Sequence, residues 1–477
     1  MRRRDAVGLL GTAAGIAAGP LPGAALAAPG RETTGPPLPP PADLSWWREA
    51  RFGMFVHWGP VSLRGTEIGW SRGREVPVEE YDALYRRFDP SLFDARAWAR
   101  LARDAGMGYL VLTTKHHDGF CMWPSTLTDY DIASTPFRRD VVRELADACR
   151  AEGIVFCAYH SICDWHHPDY PLGSPGGTTR KPGPDMDRYV SYLKGQLAEL
   201  IQGYGPLGIL WFDGEWEEPW TEERGRDLYR YCRGLQPSLI VNNRVGKGRE
   251  EMAGTTAAGR FGGDYDTPEQ RVGRFQAERP WESCITIGRQ WAWKPDEELK
   301  SLDECVRTLV TCAGGDGNLL LNVGPLPTGE IEPRQAARLG EIGAWLSVHG
   351  ESVRGTRGGP LLPGRWGVST HRDRTVYLHV LDWPARGPLL LPALEQKILA
   401  ADVVGGGEAE VLQSTGATEV RLGSEHRRSP VTVLRLDLDG PAGSPAPRRG
   451  TSHRPRISRD ERRPAPEPFT IATGGGT

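Results

Sequence analysis

Two apolar runs deliver polar residues that could do chemistry to one place. Leu207-Gly208-Ile209-Leu210-Trp211-Phe212 carries Asp213 into a turn opened by Gly214, with Glu215 and Trp216 behind it. Tyr109-Leu110-Val111-Leu112-Thr113-Thr114 ends likewise in Lys115-His116-His117-Asp118-Gly119-Phe120. Both runs read as strands, so a carboxylate held between tryptophans and a cluster of imidazoles are expected at strand carboxyl ends. In a parallel barrel that rim is where catalytic groups collect. Flat aromatic faces beside hydrogen-bonding groups suit the alternating apolar and hydroxyl surfaces of a sugar.

The elements that must position these groups alternate in kind. Short apolar runs at 52–56, 109–113, 154–159, 209–212, 239–242, 284–287 and 319–323 read as strands. Helical patterns at 93–105, 140–152, 185–204 and 222–235 lie between several of them, and a further one covers 332–348. Such alternation over about 300 residues predicts an α/β fold, a (β/α)8-like TIM barrel spanning 43–348. The helical pattern weakens over 245–281, so an irregular barrel with one or two helices missing is expected there. Beyond it, strand-like runs at 366–370, 375–380 and 431–436 have no helices between them, which predicts a C-terminal β-sandwich over 349–440.

The ends read differently. Arg2-Arg3-Arg4, the small apolar run 6–19 and Ala25-Leu26-Ala27 before Ala28 have the order of an export signal over 1–28, and the adjacent arginines fit the twin-arginine route. Residues 29–42 are expected to form a flexible leader. The Pro-, Arg-, Ser- and Gly-rich segment 441–477 reads as a disordered tail, because it has too little apolar surface to offset its ordering entropy. The expected location is therefore periplasmic or extracellular. No later segment approaches the roughly 20 apolar residues of a spanning helix, so no membrane insertion is expected.

Composition narrows the partners. The 477-residue chain carries 58 basic against 61 acidic residues, a net charge of -3, which gives no electrostatic reason to bind nucleic acid. Sixteen Trp and thirteen Tyr favour a neutral, sugar-like partner, although many must simply fill core. The eight cysteines show no zinc-finger or redox spacing and read as buried thiols. Adjacent His116 and His117 on a strand would point to opposite faces, a poor metal pair unless a turn intervenes, so neither metal nor cofactor is expected.

Several motifs occur together and in order: His57-Trp58-Gly59, Lys115-His116-His117-Asp118-Gly119-Phe120, Tyr159-His160-Ser161 with Asp164-Trp165, Trp211-Phe212-Asp213-Gly214 and Asn242-Asn243-Arg244. They continue with Asp264-Tyr265, Thr267-Pro268-Glu269, Trp281-Glu282-Ser283-Cys284 and Asn322-Val323-Gly324-Pro325. In these motifs the chain resembles the α-L-fucosidases of glycoside hydrolase family 29. The resemblance implies exo-acting release of terminal α-L-fucose from fucosylated oligosaccharides or glycoconjugates, with retention through a glycosyl-enzyme. It implies Asp213 as nucleophile and Glu269 as acid/base, with Glu282 the second candidate. His57, His116, His117 and His160 would bind the sugar hydroxyls. Arg244 and Trp211 would stand near the nucleophile and sugar, and Trp291 or Trp293 would wall the C5 methyl group. Trp58, Glu67 and Trp70 complete the expected substrate-binding set. The alternative is a catalytically silent fucose- or carbohydrate-binding protein on the same fold.

Overall fold

A computed structural model describes residues 37–443. The expected export signal, leader residues 29–36 and tail residues from 444 onward lie outside the described residues. The chain divides into two units, Met1–Leu38 and Pro39–Thr477, and everything below concerns the second.

Seven strands form one parallel sheet: β1 (Phe52–Val56), β2 (Tyr109–Lys115), β3 (Val155–Ser161), β4 (Ile209–Asp213), β5 (Ile240–Val241), β6 (Glu282–Thr286) and β7 (Asn318–Val323). Their order is β5-β4-β3-β2-β1-β7-β6. Nearly every residue of these strands is buried, as expected of parallel strands covered on both faces. Inward residues alternate along each strand and meet in one cluster: Phe55, Tyr109 and Val111, Cys157 and Tyr159, Ile209 and Trp211, Cys284 and Leu320. Gly53 belongs here for a steric reason. The Tyr109 ring lies 2.4 Å from where a Cβ would stand.

Residues 264–270 run between the two edge strands. Asp264 N donates to Val241 O (2.7 Å) and Asn243 N to Tyr265 O (2.9 Å), while Glu282 N donates to Asp266 O (2.9 Å) and Gln270 N to Cys284 O (2.9 Å). Pro268 has no N–H, which prevents a continuous ladder through this segment. The result is an extended but irregular piece that carries Glu269.

Helices α1 (Ser45–Ala50), α2 (Val78–Ala83), α3 (Ala95–Asp104), α4 (Val141–Ala151), α5 (Met186–Tyr204), α6 (Glu222–Leu235), α7 (Leu302–Gly314) and α8 (Pro333–His349) accompany the sheet. Most begin at a side-chain cap readable in the sequence: Asp94, Asp140, Asp185 and Thr221 accept backbone N–H groups, and Ser301 with Glu304 forms a capping box. Among the described residues no α-helix lies between Leu235 and Leu302, the interval where the pattern weakens. The eight cysteines are buried free thiols.

The C-terminal region is antiparallel. Its strands are β8 (Arg357–Gly358), β9 (Gly367–Arg372), β10 (Thr375–Val380), β11 (Leu389–Pro392), β12 (Ile398–Val403), β13 (Glu410–Gln413), β14 (Ala417–Arg421) and β15 (Thr432–Leu438). They form a five-stranded sheet, β12-β15-β10-β9-β8, and a three-stranded one, β11-β14-β13. Leu378, Val403 and Leu434 of the first share an apolar cluster with Leu389, Leu391 and Val420 of the second.

A buried ionic cluster ties the end of α7 to both the first strand and the antiparallel region. Asp316 accepts from Arg51 (2.6 Å), Arg48 (2.9 Å) and Arg357 Nε (2.9 Å), and neither the Asp316 nor the Arg51 side chain is exposed. Burial opposes the Asp316 charge, but hydrogen bonds and charges from Arg357 and Arg51 outweigh it and hold the carboxyl at about 2. The stabilisation is therefore present above the unfolded value of 3.8 and is lost as pH falls toward 2. Asp316→Ala should lower unfolding free energy by roughly 3–5 kcal/mol, because a buried arginine loses its counter-charge. Urea denaturation at pH 7 measures this, and a change below roughly 1 kcal/mol would show that the cluster is not a structural tie.

Candidate active site

At the carboxyl ends of the parallel strands lies a cavity of about 410 Å³. Phe55 of β1 and His57 just after it, His116 after β2, Tyr159 of β3, and Trp211 and Asp213 of β4 line it, together with Arg244, Arg249, Glu251, Glu269, Trp70, Trp216, Met252 and Trp291. The volume suits one small polar ligand.

Asp213 is the last residue of β4 and is 8% exposed. Gly214 turns the chain immediately after it at φ +97°, and a Cβ there would lie 2.4 Å from Cys163 Sγ, so only glycine fits. Arg244 Nη1 donates to Asp213 Oδ1 at 2.7 Å, and the Tyr159 hydroxyl donates to Oδ2 at 3.0 Å. Burial would raise the Asp213 carboxyl, but Arg244, with His117 and Arg249 behind it, outweighs burial and holds it below its ordinary value. An ionised, fixed carboxylate results.

Arg244 reaches a second carboxylate. Its Nη2 donates to Glu269 Oε2 at 2.8 Å, and its Nε donates to Thr267 Oγ1 at 2.9 Å. Its guanidinium carbon sits 4.4 Å from the Trp211 ring centroid. Arg249 Nη2 donates to the same Glu269 oxygen at 3.0 Å. One planar cation therefore spaces Asp213 and Glu269 within a single cavity.

The histidines divide. His57 Nδ1 lies 2.6 Å from Asn322 Oδ1, and the orientation of that amide is fixed because its Nδ2 donates to Trp291 O at 2.7 Å. His57 therefore donates from Nδ1 and, when neutral, presents Nε2 as an acceptor. His117 has the same tautomer. Its Nδ1 is 2.6 Å from Ser161 Oγ, whose own proton goes to Cys163 O, and its Nε2 lies 3.6 Å from Asp213 Oδ2. Burial pushes His57 down to about 3 and His117 to about 4, and holds His116 well below its usual range. Neutral imidazoles that accept hydroxyl protons are what a polyol ligand needs. Far from pointing to opposite faces, His116 and His117 stand with ring centroids 4.1 Å apart, because both follow the shift in strand register at the end of β2.

His160 does not reach the cavity: Cys157 and Tyr159 take the inward parity of β3, which turns His160 to the opposite face beside Thr114 and Trp123. Trp58 is likewise turned away from His57 and packs among Phe88, Phe93 and Trp98. Trp291 lines the cavity, 4.8 Å from the His57 ring, whereas Trp293 does not line it. The Glu67 carboxylate accepts the backbone N–H groups of Ile68, Trp291 and Ala292, so it fixes the Trp291 loop and is not among the lining residues. Glu282 lies fully buried below the cavity and accepts from Trp47, Tyr109, Trp211 and Tyr265, with no capacity left for a ligand. Trp70 does line the cavity, stacked on Trp216 at 6.1 Å.

Tyr159, Asn322 and Thr267 stand in the expected motifs without an expected role in the site, and Arg249 stands in none of them. Tyr159 and Asn322 carry a readable signal, the two-residue alternation that also places Trp211 and Asp213 inward. Arg249 carries none, since the irregular segment around it has no periodicity. Among the described residues, no group of three or more His, Cys, Asp or Glu side chains is placed to hold a metal ion.

The parallel sheet and the paired carboxylates at its carboxyl rim put the protein in the class of α/β enzymes whose site is built on strand ends. The family model described as alpha-L-fucosidase matches residues 41–351, and the chain belongs to that family. Tissue alpha-L-fucosidase of Bos taurus is 30% identical over 382 residues, 74% of this chain and 77% of the bovine one. Alpha-L-fucosidase isoenzyme 1 from Paenibacillus thiaminolyticus superposes with a TM-score of 0.75 at 35% identity, covering 83% of this chain and 98% of that one. A family 29 alpha-L-fucosidase from Bacteroides thetaiotaomicron, solved as a trapped covalent intermediate with 2-fluoro-fucosyl fluoride, gives a TM-score of 0.74 at 27% identity, covering 83% and 95%.

Because burial keeps them uncharged, His57, His116 and His117 should remain neutral from pH 5 to 8. Long-range ¹H–¹⁵N correlation spectra should show Nδ1-protonated neutral rings for His57 and His117 throughout. Imidazolium shifts at pH 6 would contradict this description of the site.

Proposed function

We propose that the protein is an exo-acting, retaining α-L-fucosidase that releases terminal fucose from fucosylated oligosaccharides or glycoconjugates. The observation that carries the reading is the sharing of Arg244 between Asp213 and Glu269. A guanidinium with one carboxylate on each terminal nitrogen brackets the two oxygens at roughly 4–7 Å, a range that includes the about 5–5.5 Å of a retaining pair. The trapped intermediate of the Bacteroides relative supports the same mechanism.

In this reading Asp213 attacks the anomeric carbon while Glu269 gives its proton to the leaving oxygen. The carbon–oxygen bond to the leaving group breaks as the bond to Asp213 Oδ forms. Glu269, now a carboxylate, then takes a proton from the water that cleaves the glycosyl-enzyme, and Asp213 leaves as carboxylate. Arg244 keeps the nucleophile ionised and aimed. His57 accepts from a sugar hydroxyl through Nε2, while His117, which does not line the cavity, faces Asp213 from behind, and Trp291 and Phe55 offer apolar surface to the methyl group. We read the parallel sheet with residues 264–270 as a closed (β/α) barrel, and the two antiparallel sheets as a sandwich. Export from the cytoplasm through residues 1–28 is proposed on the sequence alone. Among the described residues no helix is long and apolar enough to cross a membrane.

The two carboxylates have separable signatures. Asp213→Ala should reduce kcat on 4-nitrophenyl α-L-fucoside by at least about 10³-fold. Glu269→Ala should do less on this good leaving group, and azide should restore turnover as fucosyl azide of the retained anomer. Fucose binding with no turnover by the wild-type protein would favour a silent binding protein instead.

A further inference from the structure

Glu215 stands just past the Gly214 turn, 3% exposed and not among the cavity-lining residues. Its Oε1 lies 3.4 Å from Arg249 Nη1, and its Oε2 has no hydrogen-bond partner among the described residues. Arg249, whose side chain is itself nearly enclosed, gives its other terminal nitrogen to Glu269 Oε2. Charge therefore alternates along one connected chain: Glu215, Arg249, Glu269, Arg244, Asp213. A buried carboxyl with one oxygen unpartnered is costly, and a glutamine or leucine of similar size would carry no such charge.

We infer that Glu215 is a positioning residue for the proposed hydrolysis, holding Arg249 and through it setting the charge felt by the Glu269 carboxyl without touching the sugar. The inference rests on the acid/base role proposed for Glu269. A general acid must keep its proton until the leaving oxygen takes it, whereas two guanidinium groups on one oxygen favour the carboxylate. An anionic Glu215 offsets one of those two cations. The charged groups around Glu215 are Arg249, Arg244 and Asp213, and Lys247 Nζ donates to its backbone carbonyl at 2.6 Å. Burial, only partly opposed by Arg249 and Arg244, pushes the Glu215 carboxyl up to about 7. Its negative charge thus grows as pH rises through neutrality, where a general acid most needs help to retain its proton.

Glu215→Gln removes the charge and keeps the shape. The alkaline limb of kcat/KM against pH should move to lower pH by roughly half a unit, since Arg249 is then left wholly to Glu269. Glu215→Asp, a shorter carboxylate, should shift the limb less in the same direction, and it carries the test if the glutamine variant does not fold. Infrared titration of the Glu269 carboxyl, its band assigned by loss in Glu269→Gln, supplies a readout independent of turnover. It should show the proton leaving at lower pH in Glu215→Gln. An unchanged Glu269 titration or a coincident alkaline limb would overturn the inference, whereas absence of wild-type turnover with a shifted titration would count only against the hydrolase reading.

Discussion

Arg244 between Asp213 and Glu269 is the contact on which the rest of the site depends. Two carboxylates in one cavity repel and would drive one another toward protonation, unless a cation lies between them. Arg244 supplies that cation with all three nitrogens engaged: Nη1 on Asp213, Nη2 on Glu269 and Nε on Thr267. Trp211 covers the guanidinium face, so its position is fixed in the plane and across it. Lysine could not replace it, because a point charge has no fork with which to space two partners.

The layer beneath keeps this arrangement rigid. Glu282 draws Trp47, Tyr109, Trp211 and Tyr265 together at the base of the sheet interior. Trp211 thus has its indole N–H anchored below and Arg244 resting on its ring, and Tyr159 also stacks on it while its hydroxyl orients Asp213. The same carboxylate that the sequence offers as a second acid candidate turns out to be a floor joint. Asp316, with its three arginines, plays the matching part where the parallel sheet meets the antiparallel region.

The sequence carried the regular part of this molecule and much less of the irregular part. The strands β1 and β10 and the helix α6 stand at the expected residues because apolar runs and capping residues mark their ends. Strands β11 to β14 escaped notice because they are short and half-exposed, without a clear alternation. Within the site, Asp213, His57, His116, Trp211, Arg244, Glu269, Trp70 and Trp291 do meet in one cavity. His160 failed by parity, since it is adjacent to an inward residue and a strand sends neighbours to opposite faces, whereas Trp58 lies past the end of β1 and is taken up by packing on Phe88, Phe93 and Trp98. Glu67 and Glu282 failed for another reason. A buried carboxylate is as readily used up by N–H and O–H donors of its own fold as by a ligand, and only the three-dimensional partners tell which.

The identity of the nucleophile is the centre of this account, and covalent trapping addresses it directly. The protein would be incubated with 2-fluoro-fucosyl fluoride, digested, and its peptides sequenced by mass spectrometry. A single fluorofucosyl increment on Asp213, absent from Asp213→Ala, is the predicted result. A label on Glu269 or Glu215, or binding of the reagent with no covalent increment, would contradict it.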